Sequence, residues 1–246
     1  LHAGDRPTTG QLPECPALLK WFTAQPHQHK ILVCGNHDVA AITQAGRSKL
    51  AKWAEDPSHH HLMLSGVELV ELPDGRVVLP SQVTPDDVFP DPGMVVTFWG
   101  SPHCRWINAR WAFPHVDEDQ EGVLSALPYP PEKLKPFEEM PDYVDVVITH
   151  GPRYGVLDLL PGATDGPGKG PHIGSSGLSD AIRTTRPLLH VHGHIHERAG
   201  TYHDGWTQSV NAAICTGAYK PTNPARVVDI TRGPDGDLVT AVVTGA

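Results

Sequence analysis

The chain has 246 residues, 39% of them hydrophobic, which is enough for one large α/β unit with a real core. Its formal net charge of −9 excludes the clustered Lys and Arg surface that tracks a nucleic-acid polymer, so a phosphate here has to be held by metal and a few local donors. No apolar run approaches the roughly 20 residues of a membrane-spanning helix. The four cysteines, Cys15, Cys34, Cys104 and Cys215, lie far apart and form no Cys-x-x-Cys pair, so they read as small buried side chains in a reducing, cytoplasmic compartment.

Residues 16–24 carry Leu18, Leu19, Trp21 and Phe22 at helical spacing, and residues 30–34 form a short buried-strand pattern that ends at Gly35. A helix thus feeds a strand, with a motif at the strand's carboxyl end, where open α/β sheets place ligands. Residues 48–55 predict a second helix. Residues 66–72 and 76–79 predict a hairpin across Pro73-Asp74-Gly75, and residues 95–99 a strand that stops at Gly100-Ser101-Pro102. The polar, proline-punctuated stretch 114–141 reads as a surface connection with a short helix near 132–139. Residues 143–149 are a β-branched strand that delivers His150. Residues 151–177 are rich in Gly and Pro and lack periodicity over about 25 residues, which predicts a functional loop forming a wall of the substrate pocket. A helix over 178–186, a strand over 188–192, and strands near 206–214, 225–230 and 238–243 complete the pattern.

Four turns punctuate these elements: Gly4-Asp5, Gly35-Asn36-His37-Asp38, His150-Gly151-Pro152 and Gly193-His194-Ile195-His196. Their side chains are the oxygen and imidazole donors of a two-metal site, in which two cations about 3.5–4 Å apart activate a water and clamp both oxygens of an in-line displacement at phosphorus. Asp5 can bridge such a pair, although Gly-Asp alone is an ordinary turn. Asn36 offers a neutral amide oxygen. His37 can face the substrate and protonate the leaving alkoxide, oriented by Asp38. A helix-capping turn accounts for Gly35, Asn36 and Asp38 but not for His37. His194 and His196 sit two apart, so in extended backbone they project to one side. His190 and His192 share that parity. His190 reads as part of a mere strand face and His192 as a substrate-pocket residue, while His59-His60-His61 reads as solvated loop.

Taken in order, these fragments resemble the calcineurin-like metallophosphoesterase superfamily, whose pattern runs Asp-x-His, Gly-Asp, Gly-Asn-His-Asp/Glu, His, Gly-His-x-His. They are most similar to the branch with the vertebrate brain metallophosphoesterase-domain proteins and their fungal and bacterial relatives. Leu1-His2-Ala3-Gly4-Asp5, Trp99-Gly100-Ser101-Pro102, Thr149-His150-Gly151-Pro152, the run from Leu189 to Glu197 and Lys220-Pro221-Thr222-Asn223-Pro224 carry the likeness, which extends to about residue 230. The resemblance implies an α/β fold, a four-layer α/β/β/α sandwich of two central mixed sheets flanked by helices. It implies that Asp5 bridges two divalent ions, that Asn36, His150 and His194 complete one ion's ligands, that His196 serves the other, and that His37 is the substrate-facing acid; imidazole, carboxylate and amide ligands admit Mn, Fe, Zn or Mg, and Asn36 and His192 read as substrate-binding beside His37. The family's Asp-x-His would precede Leu1, so the expectation is one domain over 1–246 that lacks its first strand. The function implied is hydrolysis of a small phosphodiester, a cyclic nucleotide for example, or of a phosphomonoester. The alternatives are a catalytically impaired nucleotide-binding module, a protein serine/threonine phosphatase, and a structural domain with incidental histidines. The partner expected is a small phosphoester or nucleotide, with neither a nucleic-acid polymer nor a membrane.

Overall fold

The computed structural model describes residues 1–5, 15–27, 29–54, 60–63, 67–72, 74–87, 96–106, 112–117, 135–161, 171–232 and 238–244. Strand β1 (His2–Ala3) precedes helix α1 (Cys15–Thr23) and strand β2 (Lys30–Val33), after which a 3-10 turn at Val39–Ile42 enters α2 (Gln44–Ala54). There follow β3 (His60–Met63), β4 (Val67–Glu71), β5 (Val77–Val78), β6 (Val96–Ser101), β7 (Cys104–Arg105), β8 (Pro114–His115) and β9 (Val146–Thr149). Helix α3 (Ser176–Thr185) leads to β10 (Leu189–His192), β11 (Gly200–His203), β12 (Gln208–Asn211), β13 (Arg226–Arg232) and β14 (Leu238–Thr244).

Strands β1, β2 and β3 form a parallel sheet, with His2 opposite Leu32 and Lys30 opposite His60. A seven-stranded sheet runs in the order β11-β12-β10-β9-β6-β4-β5; β12, β10, β9 and β6 are parallel, and the two edges are antiparallel. Because side chains alternate between the faces of a strand, neighbouring residues fall into different cores. Ile31 and Val33 pack with Val146, Ile148, Leu189, Val191 and Val210 between the two sheets. Leu32 turns away from them, toward Leu19 and Phe22 of α1 and Leu50 of α2. Val147 also turns outward, joining Trp99 against Leu178 and Ile182 of α3. The layers therefore follow in the order α/β/β/α. The four motif turns leave the carboxyl ends of β1, β2, β9 and β10.

Several elements differ from their sequence patterns. His60 and His61 lie in β3, not in a solvated loop, because parallel pairing with β2 takes up their backbone groups; His59 lies outside the described residues. Residues 112–117 are buried, not on the surface: β8 pairs with β7, and Phe113, His115 and Val116 are covered. Over 136–139 the chain makes turns bonded three residues apart, with Glu138 N–H donating to Lys135 O and Met140 N–H to Phe137 O, where a helix was expected. Pro136 and Pro141 bracket them, and Phe137 fills a gap between Trp99 and His115. Helix α2 begins four residues early, at Gln44, because Thr43 Oγ1 accepts the Gly46 N–H. Strand β6 continues through Ser101, the strand near 206–214 is confined to Gln208–Asn211, and β11 had no visible pattern. Cys34 and Cys104 are buried thiols, whereas Cys215 is partly exposed. Among the described residues no helix is long and apolar enough to cross a membrane.

Candidate metal centre

Two glycines let the turns after β1 and β2 close on the histidine after β9. Gly4 has φ 89°, and a Cβ there would lie 2.4 Å from His150 Nδ1. A Cβ on Gly35 would lie 2.4 Å from the Asp5 amide nitrogen and 2.6 Å from Asp5 Oδ1. Asp5 itself sits in left-handed backbone, φ 56°, and His37 N–H donates to its Oδ1 over 3.1 Å. The buried Asp38 carboxylate accepts the Gly35 N–H at 2.6 Å, so the bond shown for it closes the turn that presents Asn36 and His37. Fully buried His150 donates from Nδ1 to the Ala3 carbonyl at 2.8 Å.

That bond decides the rest. With a proton on Nδ1, His150 presents Nε2 to Asn36 Oδ1 at 2.7 Å and Asp5 Oδ1 at 3.3 Å. Without an ion, a second proton on Nε2 joins these atoms; a cation seated among them takes the same lone pair and both oxygens. His194 closes the group: Asp5, His150 and His194 offer ligand atoms all within 4.8 Å of one another, and the His150 and His194 rings are 4.8 Å apart. The residues fit a divalent ion, a hard or borderline cation matched by carboxylate, amide oxygen and imidazole.

The electrostatics favour positive charge among these atoms. Burial opposes ionisation of Asp5, but His150 and His194 beside it and the His37 amide outweigh burial and hold its carboxyl well below the usual range. Burial would likewise lower the pKa of His150, yet the Asp5 charge raises it above the ordinary imidazole value. His194 is lowered to about 3 by burial and by His150, so at neutral pH its imidazole is uncharged.

The remaining candidates are distributed differently. Strand β10 ends at His192 and His194 is left-handed, φ 68°, so the expected extended run through His196 is broken. His196 begins a 3-10 turn, His196–Arg198, with its ring 5.1 Å from that of Tyr219, and is not in the converging group. His192 is completely buried and stacks on His190 with ring centres 5.0 Å apart, beneath the sheet surface and not in an open pocket. His190 Nε2 bonds Thr149 Oγ1, which donates to the Gly151 carbonyl, so this pair braces the His150 turn. Sequence reasoning missed the Ala3 carbonyl, Thr149 and Tyr219. A backbone acceptor has no sequence signature, and the other two act only through residues remote in the chain.

The model of the calcineurin-like phosphoesterase family matches residues 1–198, and the chain belongs to that family, whose chemistry is metal-dependent phosphoester hydrolysis. It is 32% identical over 235 residues to the metallophosphoesterase domain-containing protein 1 of Homo sapiens and to that of Mus musculus. These matches cover 94% of this chain and 64% of each relative, so the chain spans less than two thirds of their length. A probable rhamnogalacturonate lyase C of Emericella nidulans is 29% identical over 199 residues, 80% of this chain but 15% of that protein. With so small a share of its length matched, its printed activity carries nothing to this chain.

Proposed function

We propose that this chain hydrolyses a small phosphodiester, with a cyclic nucleotide as the type, and phosphomonoesters less well, using water as nucleophile. The observation that supports this is the convergence of Asp5, Asn36, His150 and His194 from four separate turns. Asp5, Asn36, His150 and His194 would hold one divalent ion, with Asp5 shared and His196 left to a second; bound there, such ions supply Lewis acidity toward the phosphoryl oxygens and a lowered pKa for the attacking water. The chain's own groups do the rest. Asn36 Nδ2 is buried and has no hydrogen-bond partner among the described residues, which suits it to donate to a phosphoryl oxygen. His37, next to Asn36 and tied through its amide to Asp5, donates a proton to the leaving alkoxide. Asp38 keeps that turn closed. Of the loop over 151–177, residues 162–170 lie outside the described residues; at Leu159 it meets the His196 turn, where Arg198 Nε donates to the Leu159 carbonyl, which supports its reading as a pocket wall.

The test is turnover of the Mn-loaded chain on bis(p-nitrophenyl) phosphate, p-nitrophenyl phosphate, a cyclic nucleotide and a phosphoserine peptide. Metal-dependent hydrolysis favouring the diesters is expected, with none in His150→Ala. His37→Ala should keep its metal and lose about 10²–10⁴-fold on the cyclic nucleotide but far less on the nitrophenyl diester, whose leaving group needs little protonation. Metal binding with no turnover would make the chain a silent binding module. Preference for the peptide would make it a protein phosphatase.

A further inference from the structure

The segment 213–223 lies against the turn that carries His196. A Cβ on Gly217 would come within 2.7 Å of Glu197 Oε1 and 2.9 Å of its Cγ, so the segment is seated closely on that side chain. Its own bonds fix its shape. Asn223 Nδ2 donates to the Ala213 and Cys215 carbonyls, both at 3.0 Å, and Asn223 N–H donates to Ile214 O. At the tip, Thr216 N–H donates to Lys220 O and Tyr219 N–H to Thr216 O. Tyr219 holds left-handed backbone, φ 57°, a conformation a bulky side chain rarely adopts. The effect is to set its ring 5.1 Å from that of His196, at 83° to it, while the residue stays 74% exposed. A tyrosine so exposed adds little to the core. Its constrained backbone has the ring beside the His196 turn, two residues past His194, as its visible consequence.

From this we infer that Tyr219 is the aromatic platform of the substrate pocket: its ring stacks on a flat ring in the non-reacting part of the phosphoester, so the site selects nucleotide-type esters over aliphatic ones. This rests on the phosphoester reading of the metal centre. Stacking of a base on an aromatic side chain contributes on the order of 10- to 100-fold in affinity. It tolerates any base, because recognition is by the π-face and not by hydrogen bonds.

Calorimetric titration of the Mn-loaded chain with AMP, ribose 5-phosphate and inorganic phosphate tests it, the first two differing only in the base. AMP is expected to bind at least about tenfold more tightly than ribose 5-phosphate. Tyr219→Ala should erase that margin, and Tyr219→Phe and Tyr219→Trp should keep it. Equal affinity for AMP and ribose 5-phosphate in the parent would overturn the inference, as would a Tyr219→Ala that weakens both alike. If metal binds and none of the three phosphates does, the phosphoester reading fails first and the platform falls with it.

Discussion

Gly35 is the residue on which the ligand geometry turns. An added methyl group there would meet the Asp5 amide at 2.4 Å, Asp5 Oδ1 at 2.6 Å and His150 Cε1 at 2.7 Å, all far inside contact distance, and Gly4 faces it from the opposing turn. Because one neighbour is backbone, relief requires the β1 and β2 turns to part. Gly35→Ala should therefore fold, at a cost of about 1–3 kcal/mol for the overpacking. It should lose on the order of 10- to 100-fold in metal affinity, as changes to ligand-supporting groups commonly do. Metal titration beside urea unfolding checks both, and undiminished metal affinity would show that the approach of the turns does not set the ligands. The residue types of Gly35, Asn36, His37 and Asp38 were legible in the sequence, since few turns combine them. Their division of labour was not. Asp38 accepts from Gly35 and the His37 amide donates to Asp5, details that depend on how two turns meet in space.

Helix α3 shows the same limit for an element. Its existence follows from Leu178, Ala181 and Ile182 at helical spacing, and its start from Ser175, whose Oγ accepts the Leu178 N–H at 3.1 Å. The second cap could not be read, because Asp117 comes from 58 residues away to accept from Ser175 Oγ and from the Ser176 and Gly177 amides. Strand β11 escaped for the opposite reason: its Tyr202 and His203 are exposed on an edge and leave no alternating apolar trace. Strands β2, β9 and β10 were plain because they are buried on both faces. Asp117 also makes α3 sensitive to acid. Burial pushes its carboxyl up, but His115 3.4 Å away and the bonds from Ser175 and Gly177 hold it down at about 2, below its ordinary value of about 3.9. A depressed folded pKa stabilises the fold at pH values above the unfolded pKa, and that stability is lost as pH falls from about 4 toward 2. The contribution is about 2 kcal/mol. The stability gap between the parent and Asp117→Asn, measured in urea, should thus be largest near pH 6 and close by pH 2. Parallel losses in both proteins would show that Asp117 does not carry it.

Across the whole molecule, the site joins the two sheets. Asp5 and Asn36 follow strands of the three-stranded sheet, whereas His150 and His194 follow strands of the seven-stranded one, so an ion held by all four ties the sheets at the carboxyl ends of their strands. The apolar layer of Ile31, Val33, Val146, Ile148 and Val191 lies between the sheets without bringing these four groups together in an unfolded chain. Binding is therefore confined to the folded state, and metal should stabilise the fold by mass action. At a free ion concentration about 100 times the dissociation constant the gain is about 2.7 kcal/mol. For a chain of this length each kcal/mol moves the midpoint by about 2–4 °C, so Mn or Zn should raise Tm by about 5–10 °C and a chelator should reverse it. His150→Ala separates this site from every other source of the shift, including His60 and His61 on β3. It removes the imidazole that both oxygens face, and its Tm should no longer respond to metal. An undiminished rise in that variant would mean that the ion binds elsewhere and that the link between the sheets is made by packing alone.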